Sequence, residues 1–246
     1  MRKWVMSDIH GQYNAMRKLL EFSNVNYEKD QLIFLGDFID RGPDSAQVVK
    51  YVRDLKIQYP NNVYAIIGNH EVMMREFVFE GKSDRWLRFG GYQTIESLKN
   101  AFKMISERDQ HLVWLANLGY YCMDEEYLYV HAGIDPVSEL NKQYDEVTFI
   151  EIDEMYKVPP LDLKEVIGDR IIVHGHTPYP SVYQTENFIS CDTGASVLED
   201  GVLSLVELNS KTYYSCELVN FQIKKYEIET KKINERINEY KKNQKK

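Results

Sequence analysis

The chain has 246 residues, 43% of them hydrophobic, with three cysteines and a net charge of −8. That suits one domain with a sizeable core, and no uninterrupted apolar run approaches the roughly 18 residues of a membrane helix. The acidic balance argues against a duplex-binding surface, and the widely spaced Cys122, Cys191 and Cys216 read as free thiols, not a thiolate metal site.

The charge is unevenly spread. Residues 223–246 hold nine Lys/Arg and four Glu, a net of +5, which leaves −13 for residues 1–222. The expected division is a domain over 1–222, an acidic cap segment over 137–168, and a basic amphipathic C-terminal tail over 223–246. The start, Arg2-Lys3 running into a short strand, lacks a signal-peptide pattern, so a cytoplasmic protein is expected.

Lys3 to Ser7 reads as a first strand, followed by Ser7-Asp8-Ile9-His10-Gly11. A helical period places Tyr13, Met16, Leu19 and Leu20 on one face. Leu32–Leu35 is a buried strand that runs into Gly36-Asp37-Phe38-Ile39-Asp40-Arg41-Gly42-Pro43. Gly36 permits a sharp turn there, which would set Asp37 just past the C-terminal edge of a sheet, where open α/β folds place ligands. Asp37 and Asp40 are three residues apart, so a turn points both to one side, and paired carboxylates call for a cation such as Arg41 or a metal.

Asp44 is a good N-cap for a helix carrying Val48, Val52 and Leu55. Val63–Ile67 is a third strand, closed by Gly68-Asn69-His70-Glu71. This β-α-β-α-β alternation predicts parallel pairing. Val72 to Leu118 reads as mostly helical, interrupted at Gly90-Gly91. Tyr127–Val130 is a strand ending in His131-Ala132-Gly133, and Ile171–Val173 one entering His174-Gly175-His176-Thr177. Between them, Pro136 to Gly168 holds eight Asp/Glu against three Lys. Phe188–Ser190, Val202–Glu207 and Thr212–Leu218 alternate like an antiparallel set. The motif strands are expected in one sheet, with these late strands in or beside a second. From about Glu229, Ile233, Ile237 and Tyr240 form one helical stripe among lysines.

Five apolar strands thus end in residues of metal-ligand type: Asp8 and His10, Asp37, Asn69, His131, and His176. Side chains just beyond the ends of strands in one sheet can meet, however far apart they lie in the chain. The donors are carboxylate, imidazole and amide oxygen without sulfur, which suits Mn²⁺, Fe or Zn²⁺. Each histidine taken singly reads as an ordinary core or surface residue. Five of the six lie in these motif loops beside glycines, and only His111 stands apart, at a polar helix start. His174 reads either as packing or as an outer contact of the site.

These blocks, in this order, resemble those of the calcineurin-like metallophosphoesterases. Asp40-Arg41-Gly42 and the glutamate after Asn69-His70 resemble the phosphoprotein phosphatase branch, most similar to bacterial serine/threonine phosphatases and symmetrical diadenosine tetraphosphatases. The likeness covers about Met1 to Glu207, including Gly90-Gly91 and Asp192-Thr193-Gly194-Ala195. It implies a four-layer α-β-β-α sandwich of two mixed sheets. It also implies two divalent ions, Mn²⁺ foremost, with Asp8, His10 and Asp37 on the first. Asp37 bridges to the second, completed by Asn69, His131 and His176. Water activated between the ions is the implied nucleophile. His70 is the implied general acid, oriented by Asp40, while Arg41, with Asn69 and His70, contacts the phosphoryl group.

Three functions fit. The leading one is a phosphomonoesterase acting on phosphoserine/phosphothreonine or small phosphate esters. The alternative is symmetrical hydrolysis of dinucleoside polyphosphates, and the third is a catalytically silent binding protein. Phosphatases of this branch usually bring a second arginine from between the His131 and His176 blocks. Here that interval holds only Arg170, at the far edge of its strand.

Overall fold

The structure is a computed structural model and describes residues 1–243; the last three residues of the expected tail, 244–246, lie outside it. Three β-α units open the fold, as the alternation predicted. β1 (Lys3–Met6) leads to α1 (Tyr13–Phe22), β2 (Gln31–Phe34) to α2 (Ser45–Gln58), and β3 (Val63–Ala65) to α3 (Asn69–Arg75). β1 pairs parallel with β2, and β2 with β3. The stripes that defined the helices are the faces they bury: Met16, Leu19 and Leu20 on α1, Val48, Val52 and Leu55 on α2. After two π-helical turns, Glu76–Glu80 and Leu87–Gly91, come α4 (Tyr92–Ala101) and α5 (Ile105–Ala116). His111 lies within α5, not at its start, and stacks on Phe102 with ring centroids 4.3 Å apart.

β4 (Tyr121–Met123) and β5 (Tyr127–Val130) form an antiparallel pair. The acidic segment then supplies two 3-10 turns, Leu140–Lys142 and Asp145–Phe149, followed by α6 (Ile152–Met155) and α7 (Pro160–Ile167). β6 (Ile171–His174) lies parallel to β5, and β8 (Phe188–Ser190) parallel to β6, with the short β7 (Tyr183–Gln184) antiparallel beside β8. β9 (Val202–Glu207), β10 (Thr212–Glu217) and β11 (Ile223–Glu227) form an antiparallel meander. β12 (Glu229–Thr230) and α8 (Ile233–Asn243) complete the described chain.

Two six-stranded mixed sheets result, ordered β11-β10-β9-β1-β2-β3 and β12-β7-β8-β6-β5-β4. The expected grouping of all motif strands in one sheet is corrected here. β1, β2 and β3 are in the first sheet and β5 and β6 in the second, while β9 and β10 join the first. Face matching explains the correction. β9 docks antiparallel on the open edge of β1 with Val206 opposite Val5 and Leu205 opposite Met6. Each pair therefore sends its side chains into the same layer, because successive residues of a strand point to opposite faces.

The alternation builds four layers. Val5, Ile33 and Val206 from the first sheet meet Tyr129, Val173 and Ile189 from the second in a core between the sheets. Trp4, Met6, Leu32 and Phe34 point the other way, onto α1 and α2. On the far side, Leu128, Ile172 and Phe188 pack against Met155, Leu163 and Ile167 of the acidic segment and Ile237 of α8. Residues 223–230, grouped with the tail by charge, add β11 to the first sheet and β12 to the second. Arg236 on α8 is 1% exposed, its guanidinium 3.8 Å from the Tyr179 ring centroid and 4.5 Å from that of Tyr183. All three cysteines are free thiols. No helix among the described residues is long and apolar enough to cross a membrane.

Candidate metal centre

The loops after β1, β2, β3, β5 and β6 meet at one place, and hydrogen bonds knit them together. The amide of Asp8 donates to Gly36 O at 3.3 Å and that of His10 to Asp37 O at 2.9 Å. The amide of His70 donates to Oδ1 of Asp37 at 3.0 Å, and that of His176 to Oδ2 of Asp8 at 3.0 Å. The side chains of His131 and Asn69 meet at 2.9 Å. Residues 168 positions apart thus share one site.

Asp37 is the centre of this arrangement. Its Oδ2 lies 3.6 Å from Nε2 of His10 and 4.0 Å from Nε2 of His70, and its Oδ1 lies 3.6 Å from Nε2 of His131. Two buried donor sets follow, each within 4.8 Å: His10, Asp37 and His70 in one, Asp8, Asp37 and His131 in the other. His176 falls outside both sets, its ring centroid 5.1 Å from that of His131. His70 falls inside one, although the family resemblance casts it as an acid and not a ligand.

The rings of His10 and His131 are aimed by the backbone. Nδ1 of His10 bonds Ile39 O at 2.8 Å, and Nδ1 of His131 bonds Leu35 O at 2.7 Å. A carbonyl accepts only, so Nδ1 carries the proton in both rings and Nε2 presents a lone pair to the centre. Gly175 packs against Asp8, and a Cβ there would collide with the Asp8 carboxylate and with Ser7.

Among the described residues, six of the ten non-glycine residues with positive φ are Asp8, His10, Asp37, Asp40, Arg41 and His176. A left-handed conformation costs an ordinary residue roughly 1–2 kcal/mol. Strain gathered at one site, and opposed to stability, marks a functional geometry.

His70 and Asp40 form a buried pair, with Nδ1 of His70 2.6 Å from Oδ2 of Asp40. Burial pushes Asp40 up to about 7, against hydrogen bonds from Thr94 and Trp86 that pull it down. Burial, then the neighbouring Arg41, lowers the proton affinity of His70. Trp86 Nε1 donates to both oxygens of Asp40 at 2.9 Å, and Thr94 Oγ1 to one at 2.6 Å. Neither Trp86 nor Thr94 was singled out from the sequence; the nearest signal is Gly90-Gly91. Gly90, at φ +116°, lets that turn close on the site, since a Cβ there would come 2.6 Å from Arg41 N. The guanidinium of Arg41 lies 2.6 Å from Nε2 of His10.

Glu71 is fully buried and organises the turn that carries Asp37. Its carboxylate accepts from the amides of Asp37 at 2.8 Å, Phe38 at 2.9 Å and Gly68 at 3.0 Å. Burial, then Asp37, pushes its pKa up to about 8. His174 is buried in packing, Nε2 meeting the Tyr156 hydroxyl at 2.8 Å. Arg170 binds the carbonyls of Asp124 and Ile167 at the far end of β6.

The residues present fit divalent cations. Burial, then Asp8, pushes Asp37 well above the usual carboxylate range, and the same two causes act on the buried Asp192. Cations beside them would reverse that cost. The donors are hard oxygen and imidazole nitrogen, and the His10 and His131 rings are pre-oriented.

A family model for calcineurin-like phosphoesterases matches residues 1–209. The chain belongs to this family. The symmetrical bis(5'-nucleosyl)-tetraphosphatase of Buchnera aphidicola subsp. Acyrthosiphon pisum is 33% identical over 175 residues, covering 70% of this chain and 58% of that relative. The match therefore spans less than two thirds of the relative's length. Among solved structures, a protein provisionally described as a diadenosine tetraphosphatase superposes with a TM-score of 0.61 at 19% identity, covering 92% of each chain. A serine/threonine phosphatase from Saccharomyces cerevisiae gives 0.56 at 18%, covering 92% of this chain and 80% of the other. At such identities the likeness is one of fold, and it matches the two-sheet calcineurin-like architecture expected of the blocks.

Proposed function

We propose that this calcineurin-like phosphoesterase hydrolyses dinucleoside polyphosphates symmetrically, using two divalent ions. The placement of Asp37 between two donor sets supports the chemistry. The substrate class is supported by the 33% identical relative, which carries a symmetrical tetraphosphatase name. That similarity favours the alternative over the phosphomonoesterase with which the sequence reading leads.

In this reading Asp8, His10 and Asp37 hold one ion, and Asp37, Asn69, His131 and His176 the other. When bound, such ions polarise phosphoryl oxygens and make water a stronger nucleophile near neutral pH. His176 reaches its ion by turning its ring, since its backbone is already fixed to Asp8. Arg41 swings its planar fork from His10 to the phosphoryl oxygens, a geometry a lysine lacks. Asp40 accepts from Nδ1 of His70, and its negative charge favours the doubly protonated ring, so that Nε2, facing Asp37, would carry the proton for the leaving oxygen. The donor chemistry suits Mn²⁺, Fe or Zn²⁺, and the family resemblance favours Mn²⁺ among them.

A substrate panel with Mn²⁺ tests the reading: diadenosine tetraphosphate, a phosphoserine peptide and p-nitrophenyl phosphate. The expected result is the highest kcat/KM for diadenosine tetraphosphate, with ADP as the sole nucleotide product. Formation of AMP and ATP would overturn the symmetrical reading, and preference for the phosphopeptide would restore the phosphomonoesterase.

A further inference from the structure

A cavity of about 530 Å³ lies in the acidic segment, within the size range of small-molecule sites. Phe149, Ile150 and Met155 give it apolar walls, Tyr144 stands at its rim, and Lys142 and Glu154 border it. It adjoins the metal centre through the His131 loop. Ile134 lines it, three residues beyond His131, so at most about 10 Å of extended backbone separates the two. Gly133 lies against its wall, since a Cβ there would come 3.0 Å from Met155 Sδ. Arg85 stands beside this wall. Its guanidinium carbon is 4.8 Å from the Phe149 ring centroid, and its positive charge is among those felt by His70.

We propose that this cavity takes the nucleoside of one half of a dinucleoside polyphosphate, with Arg85 contacting the polyphosphate on its way to Asp37. The proposal rests on the tetraphosphatase reading of the same site and names where that substrate is recognised.

Charge decides which end of the substrate enters. Asp135, Glu146 and Glu154 line the cavity against the single Lys142. Carboxylates repel a polyanion but accept hydrogen bonds from ribose hydroxyls and base amino groups. Ring faces such as those of Tyr144 and Phe149 offer stacking to a flat base, worth roughly tenfold or more in affinity per base. The acidic character of the segment, unfavourable at the phosphates, is therefore suited to an uncharged, hydroxyl-bearing group beside them. Two other acids of the segment are neutralised within the protein. Asp145 pairs with Arg75, and Asp153 with Lys157 and Lys241.

Titration calorimetry on the full, manganese-loaded chain tests this without turnover. ADP and pyrophosphate share a diphosphate, so their difference reads the nucleoside. ADP is expected to bind at least roughly tenfold more tightly than pyrophosphate. Tyr144→Ala, at a side chain already two-thirds exposed, and Phe149→Leu are expected to shrink that preference severalfold while leaving pyrophosphate binding unchanged. Arg85→Ala is expected to weaken both ligands. Equal affinity for ADP and pyrophosphate in the parent chain, or a preference that survives both aromatic substitutions, would overturn the proposal. Cleavage of diadenosine tetraphosphate without an ADP preference would overturn the cavity alone. An ADP preference that the substitutions abolish, in a chain that does not cleave that substrate, would uphold the cavity and overturn the activity.

Discussion

Asp37 and Glu71 show how two carboxylates of one site divide their work. Glu71 spends its oxygens on four backbone amides and so has no room for a cation, while Asp37 keeps Oδ2 open toward His10 and His70. Glu71 holds the turn and Asp37 presents its charge from it. Removing that charge has a defined consequence. Asp37→Asn is expected to lower bound Mn²⁺ from two ions per chain to one or none, read by metal analysis after gel filtration, because both donor sets pass through this residue. Retention of two ions would remove Asp37 from the bridging position. The Asp40–His70 pair follows the same logic of support, since Trp86, Thr94 and Ser45 leave Asp40 little freedom to move.

At the scale of elements, each motif strand is short and hydrophobic, and each ends where the polar loop begins. β2 has four residues, three of them buried. Its entrance is pinned by Asp30, which accepts from Arg2 Nε at 3.1 Å and from the Asn26 amide at 3.0 Å. Burial raises the pKa of Asp30, but the Arg2 and Asn26 hydrogen bonds outweigh it, and the net shift is downward from 3.8. A carboxylate whose folded pKa is depressed stabilises the fold above its unfolded value and loses that contribution as pH falls through the folded value. Asp30→Asn is therefore expected to cost about 1–2 kcal/mol at pH 7. The difference from the parent chain should shrink as pH falls below about 3.8, followed by denaturant unfolding at pH 7 and pH 3. A cost that is the same at both pH values would rule out the carboxylate as its source. The strands that escaped the sequence reading, β4, β7, β11 and β12, are short or lie at sheet edges. Lys224 and Lys225 stand in β11 because an edge strand tolerates exposed charge, and that charge hid the strand.

The whole molecule places two sheets so that their motif-bearing edges face one pocket. The C-terminal elements tie that arrangement together, because the chain crosses from β11 in the first sheet to β12 in the second before α8 docks on α6. Ending the chain after Lys231 would remove buried Ile237 and the Arg236 guanidinium stacked on two tyrosines. These contacts contribute about 3 kcal/mol. Tm is expected to fall by roughly 6–12 °C in a thermal scan. An unchanged Tm would show that the basic helix contributes nothing to the fold.

The sequence by itself determined the local chemistry. An apolar run ending in Gly-Asp or Asn-His fixes a strand and a polar loop within a few residues, and local sterics suffice to read it. The three opening β-α units, the buried stripes of α1 and α2 and the positions of Asp8, His10, Asp37, Asn69, His131 and His176 just past their strands were legible for that reason. Tertiary structure alone decided which sheet each strand joined, because β9 chose the edge of β1 by matching faces across about 200 residues. It alone brought Trp86 and Thr94 to Asp40 and set Glu71 under the Asp37 turn. Those partners meet only after the chain has closed on itself, and no spacing in the sequence encodes that distance.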